Sequence, residues 1–205
     1  MLKAEMPKHI SYINIYVSSD GNDENDGATA ETAVKTLDRA MQLSKNYKSV
    51  NVYLAAGQTF TASETIESVG YGLIIMDRHI YFYTFGNGTN PVIDSPVAIM
   101  SSTVSFFGVN FPNDIVNVNL SNVTIKNCQI AMLQAERTIC SLENSTLQEA
   151  SFDFSSIFMV DCNVTNAIAD HCSVVYTESD TTIANKTTDN GGMFYVNGIP
   201  EIQGG

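Results

Sequence analysis

Tryptophan and the basic residues Lys and Arg, which commonly build ligand sites, are scarce in this 205-residue chain. Tryptophan is absent, and most of the nine tyrosines lie before residue 84, so few large aromatic faces remain to stack on a sugar ring. Ten Lys and Arg stand against 22 Asp and Glu, which gives a formal net charge of −12. A chain of that charge repels phosphate backbones and anionic membranes. We therefore expect neither a nucleic acid nor a membrane as partner.

Long apolar runs and closely spaced cysteines are also missing. Residues 1–14 contain charged side chains and no hydrophobic segment of the kind that forms a signal peptide, and no later segment approaches the ~18 apolar residues that span a membrane. The cysteines lack any CxxC spacing, and only Cys172 has a neighbouring histidine, His171. This arrangement disfavours a zinc site. We expect no targeting segment, no membrane span, no metal and no other cofactor.

The chain is apolar enough to fold as one domain, with 44% hydrophobic and 16% charged residues. An apolar spacing typical of an amphipathic helix predicts one helix over residues 33–45, with Thr32 or Thr36 as N-cap. After residue 50 the sequence consists of short β-rich segments separated by Gly, Asn, Asp and Pro. These segments predict strands.

A repeat indicates how those strands are arranged, because three successive segments align without gaps at a spacing of 17 residues. The aligned columns are Val123, Cys140 and Ile157; Ile125, Leu142 and Met159; Asn127, Asn144 and Asp161; Cys128, Ser145 and Cys162; and Ile130, Leu147 and Val164. Units this short bury an apolar face only by stacking on each other. We therefore predict an all-β solenoid of about seven or eight parallel coils.

The repeat extends in both directions with less regularity. Nineteen residues earlier it continues from Val104 to Phe111, if two residues are inserted in one turn. Later, Val174 and Tyr176 are predicted to keep the first two columns, residues 177–192 are polar and turn-rich, and Met193–Val196 is predicted as a last strand. The predicted organisation is an N-terminal arm at 1–14, a strand-and-helix cap at 15–49, the parallel β-helix at 50–196 and a tail at 197–205.

The N-terminal half resembles the opening of right-handed parallel β-helix proteins of the pectate-lyase-like superfamily, which includes many bacteriophage tailspike and tail-associated proteins. The matching segments are Tyr16-Val17-Ser18, Asp20-Gly21-Asn22-Asp23, Asp26-Gly27, Lys35-Thr36-Leu37 with Ala40, Val52-Tyr53-Leu54, and Ala56-Gly57 with Phe60. The resemblance covers about residues 15–164. It implies a single-stranded right-handed parallel β-helix whose apolar end is capped by a short N-terminal helix. Enzymes, adhesins and virion proteins share these motifs, so the resemblance implies a fold and leaves the reaction open.

Several polar groups have the residue types of a functional site. The loop 20–27 is rich in Asp and Asn, but its spacing does not fit an EF-hand, and we interpret it as a turn whose side chains bond nearby backbone. Cys128 and Cys162 should lie two coils apart, beyond disulfide reach, so all four thiols are predicted to be free. The column of Asn127, Asn144 and Asp161 is predicted to form a polar ladder at a coil corner.

Catalysis by a glycosidase would need two carboxyl groups ~5–9.5 Å apart. The candidate carboxylates are Asp153, Asp161 and Asp170 on neighbouring coils and Glu136, Glu143 and Glu149 on the coil before. A lyase would prefer a basic residue near such acids, for which Lys126 and Arg137 are the candidates. His79 beside Arg78 and His171 beside Asp170 are candidates for polar contacts at a surface. None of them forms a distinctive motif. Coils of about 17 residues are also shorter than those typical of polysaccharide-degrading members of the superfamily. We assign no catalytic, cofactor-binding or metal-binding residue.

The leading hypothesis is a non-enzymatic structural or attachment component of a bacteriophage particle, either tail-associated or a capsid decoration protein. We expect a homotrimer located in the virion that docks to other virion proteins through its N-terminal arm and has a host surface glycan as candidate ligand. One alternative is a small polysaccharide lyase or glycoside hydrolase of tailspike type. The other is a bacterial surface adhesin module.

Overall fold

The computed structural model describes residues 12–63 and 72–201. They form one helix, α1 (Leu37–Ser44), and strands that together make an all-β fold. The strands are β1 (Tyr12–Val17), β2 (Ser49–Ala55), β3 (Thr59–Phe60), β4 (Leu73–Met76), β5 (His79–Phe85), β6 (Val92–Ile93), β7 (Val97–Met100), β8 (Thr103–Phe107), β9 (Phe111–Asn119), β10 (Asn122–Lys126), β11 (Gln129–Glu136), β12 (Ile139–Glu143), β13 (Thr146–Asp153), β14 (Ser156–Val160), β15 (Asn163–Asp170), β16 (Val174–Glu178), β17 (Thr182–Thr188), β18 (Met193–Val196) and β19 (Ile199–Glu201).

Parallel strands build the sheets. A ten-stranded sheet has the order β1-β2-β5-β8-β10-β12-β14-β16-β18-β19, a seven-stranded sheet has the order β17-β15-β13-β11-β9-β7-β4, and β3 pairs with β6. From β7 to β18, consecutive strands alternate between the two large sheets. Each pair of strands therefore stacks on the pair before it, as the repeat predicted, and the β18–β19 pairing alone is antiparallel among the paired strands described.

The 17-residue register is confirmed strand by strand. Val123 pairs with Cys140, and Cys140 pairs with Ile157. The 19-residue step is confirmed as well, because Val104 pairs with Val123. The two inserted residues lie within β9, where the register against β11 shifts after Phe111.

The long strands of the seven-stranded sheet bend in the middle. In β11 the buried residues are Ile130, Leu133 and Ala135. The two consecutive residues between Ile130 and Leu133 therefore do not face the core. The inward-facing residues of the strands join one continuous core of aliphatic and aromatic side chains. A strict alternation of inward and outward residues would have missed this bend.

The prediction for Val174 and Tyr176 is wrong by one residue. Val175 pairs with Ile157 and is fully buried, whereas Tyr176 is exposed. Three residues separate Asp170 from Val174, but only two occupy the corner of the preceding coil. A shift of one residue exchanges the two faces of a strand.

The helix α1 begins at Leu37, four residues later than predicted. Val34 is still extended and forms a parallel bridge with Val17. Of the two predicted N-caps, Thr36 is the one observed, and its hydroxyl accepts a hydrogen bond from the Arg39 backbone N–H at 3.1 Å. The helix contacts β1 and buries Leu37 with other apolar residues of the same face.

The last coil is more polar than the others. Strand β17 forms within the segment predicted to be polar and turn-rich, and none of its residues is buried. The strand β18 has the predicted bounds, and Lys186 on β17 forms an ion pair with Glu201 on β19 at 2.6 Å. Residues 1–11 and 202–205, which include most of the predicted arm and part of the predicted tail, lie outside the described residues. Within the described ranges, no helix is long and apolar enough to cross a membrane.

Candidate functional site

The central coils turn at two corners, each through a residue in the left-handed backbone region. At the first, here the amide corner, these residues are Gly108, Asn127, Asn144 and Asp161, with φ between 45° and 67°. At the second, here the ridge corner, they are Ser101, Leu120, Arg137, Phe154 and His171, with φ between 40° and 50°. Glycine adopts this conformation freely and Asn and Asp tolerate it, whereas bulky residues such as Leu and Phe are disfavoured there.

The amide corner is a structural ladder. The Asn144 amide donates to Asn127 Oδ1 at 2.7 Å, which confirms the predicted ladder between these two residues, whereas Asp161 Oδ1 accepts the Asp180 backbone N–H at 3.3 Å. Beside it, Lys126 Nζ lies 2.5 Å from Glu143 Oε1. Two charged residues considered for catalysis therefore neutralise each other here.

The cysteines pack as predicted, and all four thiols are free. Cys128, Cys140 and Cys162 are buried. Burial raises the pKa of Cys140 to about 12 and that of Cys128 to about 11, so these thiols remain protonated and unreactive. Cys172, in contrast, is exposed at the ridge corner.

The ridge corner contains a second column that the sequence analysis missed. Its buried hydroxyl residues are Ser102, Ser121, Thr138, Ser155 and Ser173. Ser155 Oγ accepts the backbone N–H of Thr138 at 3.1 Å and donates to the Asp153 carbonyl at 2.8 Å, so each hydroxyl ties two coils together. The 17-residue spacing of Ser121, Thr138 and Ser155 was the available signal.

Three of the candidate carboxylates meet beside the ridge corner. Glu136, Asp153 and Asp170 stand in register on adjacent strands of the seven-stranded sheet. The Nδ1 atom of His171 lies 2.8 Å from Asp153 Oδ1 and 3.3 Å from Asp170 Oδ2. The Arg137 guanidinium lies 3.2 Å from Glu136 Oε1. Each carboxylate of this cluster thus lies within 3.3 Å of an Arg or His nitrogen.

Further contacts hold the same cluster in place. The Phe154 ring stacks on His171 with centroids 5.1 Å apart, and the Arg137 guanidinium lies 5.8 Å from the Phe154 centroid. The Asn190 amide donates to Asp170 at 2.9 Å. This hydrogen bond, with smaller effects from the backbone N–H and the charge of His171, lowers the pKa of Asp170. An acid that ionises so readily is a poor proton donor.

The remaining candidates lie apart from this cluster. Glu149 is on the outer face of β13, and Asp161 belongs to the amide corner. Arg78 donates to Ser44 Oγ at 2.8 Å near the end of α1, and with His79 it lines an open depression.

The acidic loop 20–27 bonds nearby backbone and hydroxyl groups, as interpreted from the sequence. Asp23 Oδ1 accepts the backbone N–H groups of Lys35 and Thr36 at 2.8 and 2.9 Å. Asp26 Oδ1 accepts the Ala28 N–H at 3.0 Å. Among residues 12–63 and 72–201, no group of three or more His, Cys, Asp or Glu side chains is arranged to hold a metal ion.

One carboxylate pair was not found from the sequence. Asp114 lies in the insertion of β9, close to Asp94 on the preceding coil, whose Oδ1 accepts a hydrogen bond from the Asn113 amide at 3.0 Å. Burial raises the pKa of Asp114, and the neighbouring Asp94 carboxylate raises it further. The signal available in the sequence was the two-residue insertion itself.

The outer face of the seven-stranded sheet forms a groove of about 440 Å³. Its polar lining residues are Gln134, Glu149, Ser151, Asn166, Asn185 and Thr187, and its apolar lining includes Met132 and Ile168. The Asn185 amide donates to Asn166 Oδ1 at 2.8 Å. A smaller pocket of about 240 Å³ shares Gln134 and Ser151 with the groove and extends it to Glu136 and Asp153. The groove therefore offers amides and hydroxyls over an apolar floor, with carboxylates at one end.

The half-buried aromatic side chains on the outside of the first coils do not provide a sugar platform. Tyr16, Tyr53, Tyr83 and Phe107 stack ring on ring along the outer face of the ten-stranded sheet, with centroids 4.7 to 5.3 Å apart. Stacked rings cover each other's faces, and a sugar would need an open face. This aromatic ladder is therefore assigned to packing between coils.

Comparisons with known proteins give one similar structure. No family model matches the chain, and no curated protein matches it. A solved structure named "Rhamnogalacturonan lyase" is similar with a TM-score of 0.43 and 9% sequence identity, over 87% of this chain and 62% of that chain. The chain thus spans less than two thirds of that protein's length. The description of the fold rests on the strand pairing of this chain.

Proposed function

We propose that this chain is a non-enzymatic attachment component of a bacteriophage particle, which works as a homotrimer and holds a host surface glycan in the groove of the seven-stranded sheet. In this proposal the stacked coils form a single right-handed parallel β-helix, and α1 closes its N-terminal end. The segment 1–14 docks the chain to other virion proteins. The resemblance of residues 15–164 to phage tail proteins supports this assignment.

The observation that carries the proposal is the pairing of the candidate acids. Glu136, Asp153 and Asp170 contact Arg137 or His171, and the amide of Asn119 also donates to Glu136 at 2.8 Å. A catalytic pair needs one carboxyl group that keeps its proton and one that is free to attack or to accept a proton. In this cluster each carboxylate instead contacts a neighbouring Arg or His nitrogen, and the pKa of Asp170 is lowered.

The chemistry of the groove suits a neutral, hydroxyl-rich ligand. Side-chain amides both donate and accept hydrogen bonds, as hydroxyl groups require. Ile168, which is 44% exposed, and Met132 provide apolar surface for the C–H faces of a sugar. The carboxylates at one end and the net charge of −12 oppose an acidic glycan.

Calorimetric titration of the purified chain with neutral oligosaccharides from bacterial capsules and O-antigens tests the proposal. Binding should weaken at least tenfold in Asn166→Ala and Ile168→Asp, which alter the groove. Gln148→Ala, at an exposed position of the same sheet that does not line the groove, is the matched control and should bind like the wild type. Binding that is equal in all three variants would contradict the assignment of the groove.

A glycan-cleaving lyase or hydrolase is the second candidate function. The observation that favours it is the pair of Asp94 and Asp114, because burial and the neighbouring carboxylate raise the pKa of Asp114, which is the direction a general acid requires. Release of shorter products in the titration mixtures, lost in Asp114→Asn, would favour this candidate over attachment.

A further inference from the structure

One outer surface of this acidic molecule has no charge. It comprises the first and third residues of β10, β12, β14, β16 and β18, here called the neutral face. Its members are Asn122, Thr124, Ile139, Ser141, Ser156, Phe158, Val174, Tyr176, Met193 and Tyr195. The residues between them on each strand face the core. The ten positions thus form two adjacent columns that cross five strands, ~20 Å along the stack.

Several large apolar side chains of the neutral face are exposed. Ile139 is 63% exposed, Met193 45%, Tyr176 44% and Phe158 39%. Single exposed apolar residues are ordinary on protein surfaces, but a contiguous patch marks an interaction site. The fifth residues of these strands, which include Lys126, Glu143 and Glu178, form a charged column at the edge of the neutral face, next to the amide corner.

The charge pattern identifies the occupant. A membrane or nucleic acid is repelled by the net charge of −12, and a basic protein would be drawn to the exposed carboxylates elsewhere, which this face lacks. A glycan finds few open ring faces here, since Tyr176 and Tyr195 stack on each other with centroids 5.0 Å apart. Because each copy carries a net charge of −12, contact between two copies is opposed least where the facing surfaces carry no charge. We infer that the neutral face is the contact between copies of this chain.

This inference rests on the homotrimer of the proposed function and identifies the surface that would form it. Sedimentation equilibrium of the full chain between 1 and 100 μM measures the assembly. The wild type should associate, and Tyr176→Glu should weaken association at least tenfold, because it places a charge in an apolar contact. Ile168→Glu is the matched control, since Ile168 is also 44% exposed but lies on the other large sheet. It should associate like the wild type.

A second measurement needs no variant and avoids any effect on folding. Oxidation of Met193 by hydrogen peroxide should slow as the protein concentration rises, while oxidation of Met76 and Met100 should not. Those two methionines are 44% and 38% exposed on the seven-stranded sheet. A wild type that is monomeric throughout the range, equal effects of the two Glu substitutions, or a Met193 rate independent of concentration would overturn the inference.

The outcomes separate this inference from the proposed function. Association through the neutral face without glycan binding would retain the inference and contradict attachment through the groove. A dimer that is lost in Tyr176→Glu would retain the neutral face as the contact and contradict the homotrimer. Glycan binding by a protein that stays monomeric would retain the groove as the attachment site and contradict both the inference and the homotrimer.

Discussion

The two corners of the coil solve the same geometric problem with different residues. The amide corner uses Gly108, Asn127 and Asn144, which accept a left-handed backbone at little cost. The ridge corner places Leu120 and Phe154 in the same conformation, where each costs ~1–3 kcal/mol. Both corners are supported from inside by buried small residues, so the core does not explain the difference.

What differs is the surface that each corner creates. Leu120 is 58% exposed and Phe154 is 50% exposed, and the ridge corner lies between the neutral face and the carboxylates beside the groove. The amide corner exposes only its ladder of amides and nearby ion pairs. Backbone strain therefore accumulates at the ridge corner, where the two proposed binding surfaces meet.

The largest effect should come from removing the core that supports both corners. Leu142 is fully buried between two coils, and Leu142→Asp would bury an unpaired charge there, which should cost more than ~4 kcal/mol and prevent folding. Far-UV circular dichroism and urea unfolding measure this. Gln148→Asp, at an exposed position of the next strand, is the control. A folded Leu142→Asp protein would contradict the register.

An exchange of residues between the corners tests the comparison itself. Asn144→Leu should lose about 2–3 kcal/mol, because it introduces left-handed strain and removes the hydrogen bond to Asn127. Leu120→Asn should gain up to ~1 kcal/mol by relieving strain at an exposed position. Chemical denaturation of both variants gives the two values. If the two changes have the same sign, the corners do not differ as described.

The buried hydroxyls should matter equally at the two corners. Ser145→Ala leaves the Cys128 N–H without its acceptor, and Ser155→Ala does the same to Thr138 N–H. An unpaired buried donor costs ~2 kcal/mol, so both variants should lose about that much in urea unfolding. Thr138→Val is the control for side-chain volume, because valine has nearly the same size as threonine but lacks the hydroxyl. A large loss at only one corner would show that the hydroxyl columns are not equivalent.

These residues also show how far the sequence could predict the structure. The columns through Val123 and Ile125 were visible because buried aliphatic residues recur at one spacing. The amide corner was visible because Asn has a known preference for such turns. The ridge corner was not, since Leu120, Arg137 and Phe154 share no chemistry that predicts a left-handed turn.

Parts of the candidate site were beyond the sequence for the same kind of reason. The contact of His171 with Asp153 depends on the register and on the additional residue in the corner between Asp170 and Val174. The same additional residue made the prediction for Tyr176 wrong. Strand β17 is polar throughout, so it lacked the apolar alternation that identifies a strand. The groove depends on the bend in the long strands, which follows from their packing and not from any residue pattern noted beforehand.

The pH dependence of the melting temperature should differ between variants of Asp114, in the insertion of β9, and of Asp170, beside the ridge corner, and this effect should be smaller. The pKa of Asp114 is raised in the folded protein, so its ionisation at neutral pH opposes folding, and that cost disappears as the pH falls below the ordinary pKa of Asp. Asp114→Asn should therefore raise the melting temperature at pH 7 and have no such benefit at pH 3. The pKa of Asp170 is lowered, so Asp170→Asn should lower the melting temperature at pH 7, with the loss fading towards pH 3. Shifts of the same sign for both variants would contradict these assignments.

The carboxylates beside the ridge corner give the most direct test of the central claim, which is that they stabilise the coil and do not cleave a glycan. The measurement is the size distribution of capsular polysaccharide and lipopolysaccharide after incubation with the purified chain, Asp153→Asn and Asp170→Asn. The account predicts no shorter products with any of the three proteins, and unchanged glycan binding in the folded variants. Depolymerisation by the wild type, abolished by Asp153→Asn while the fold is preserved, would contradict it.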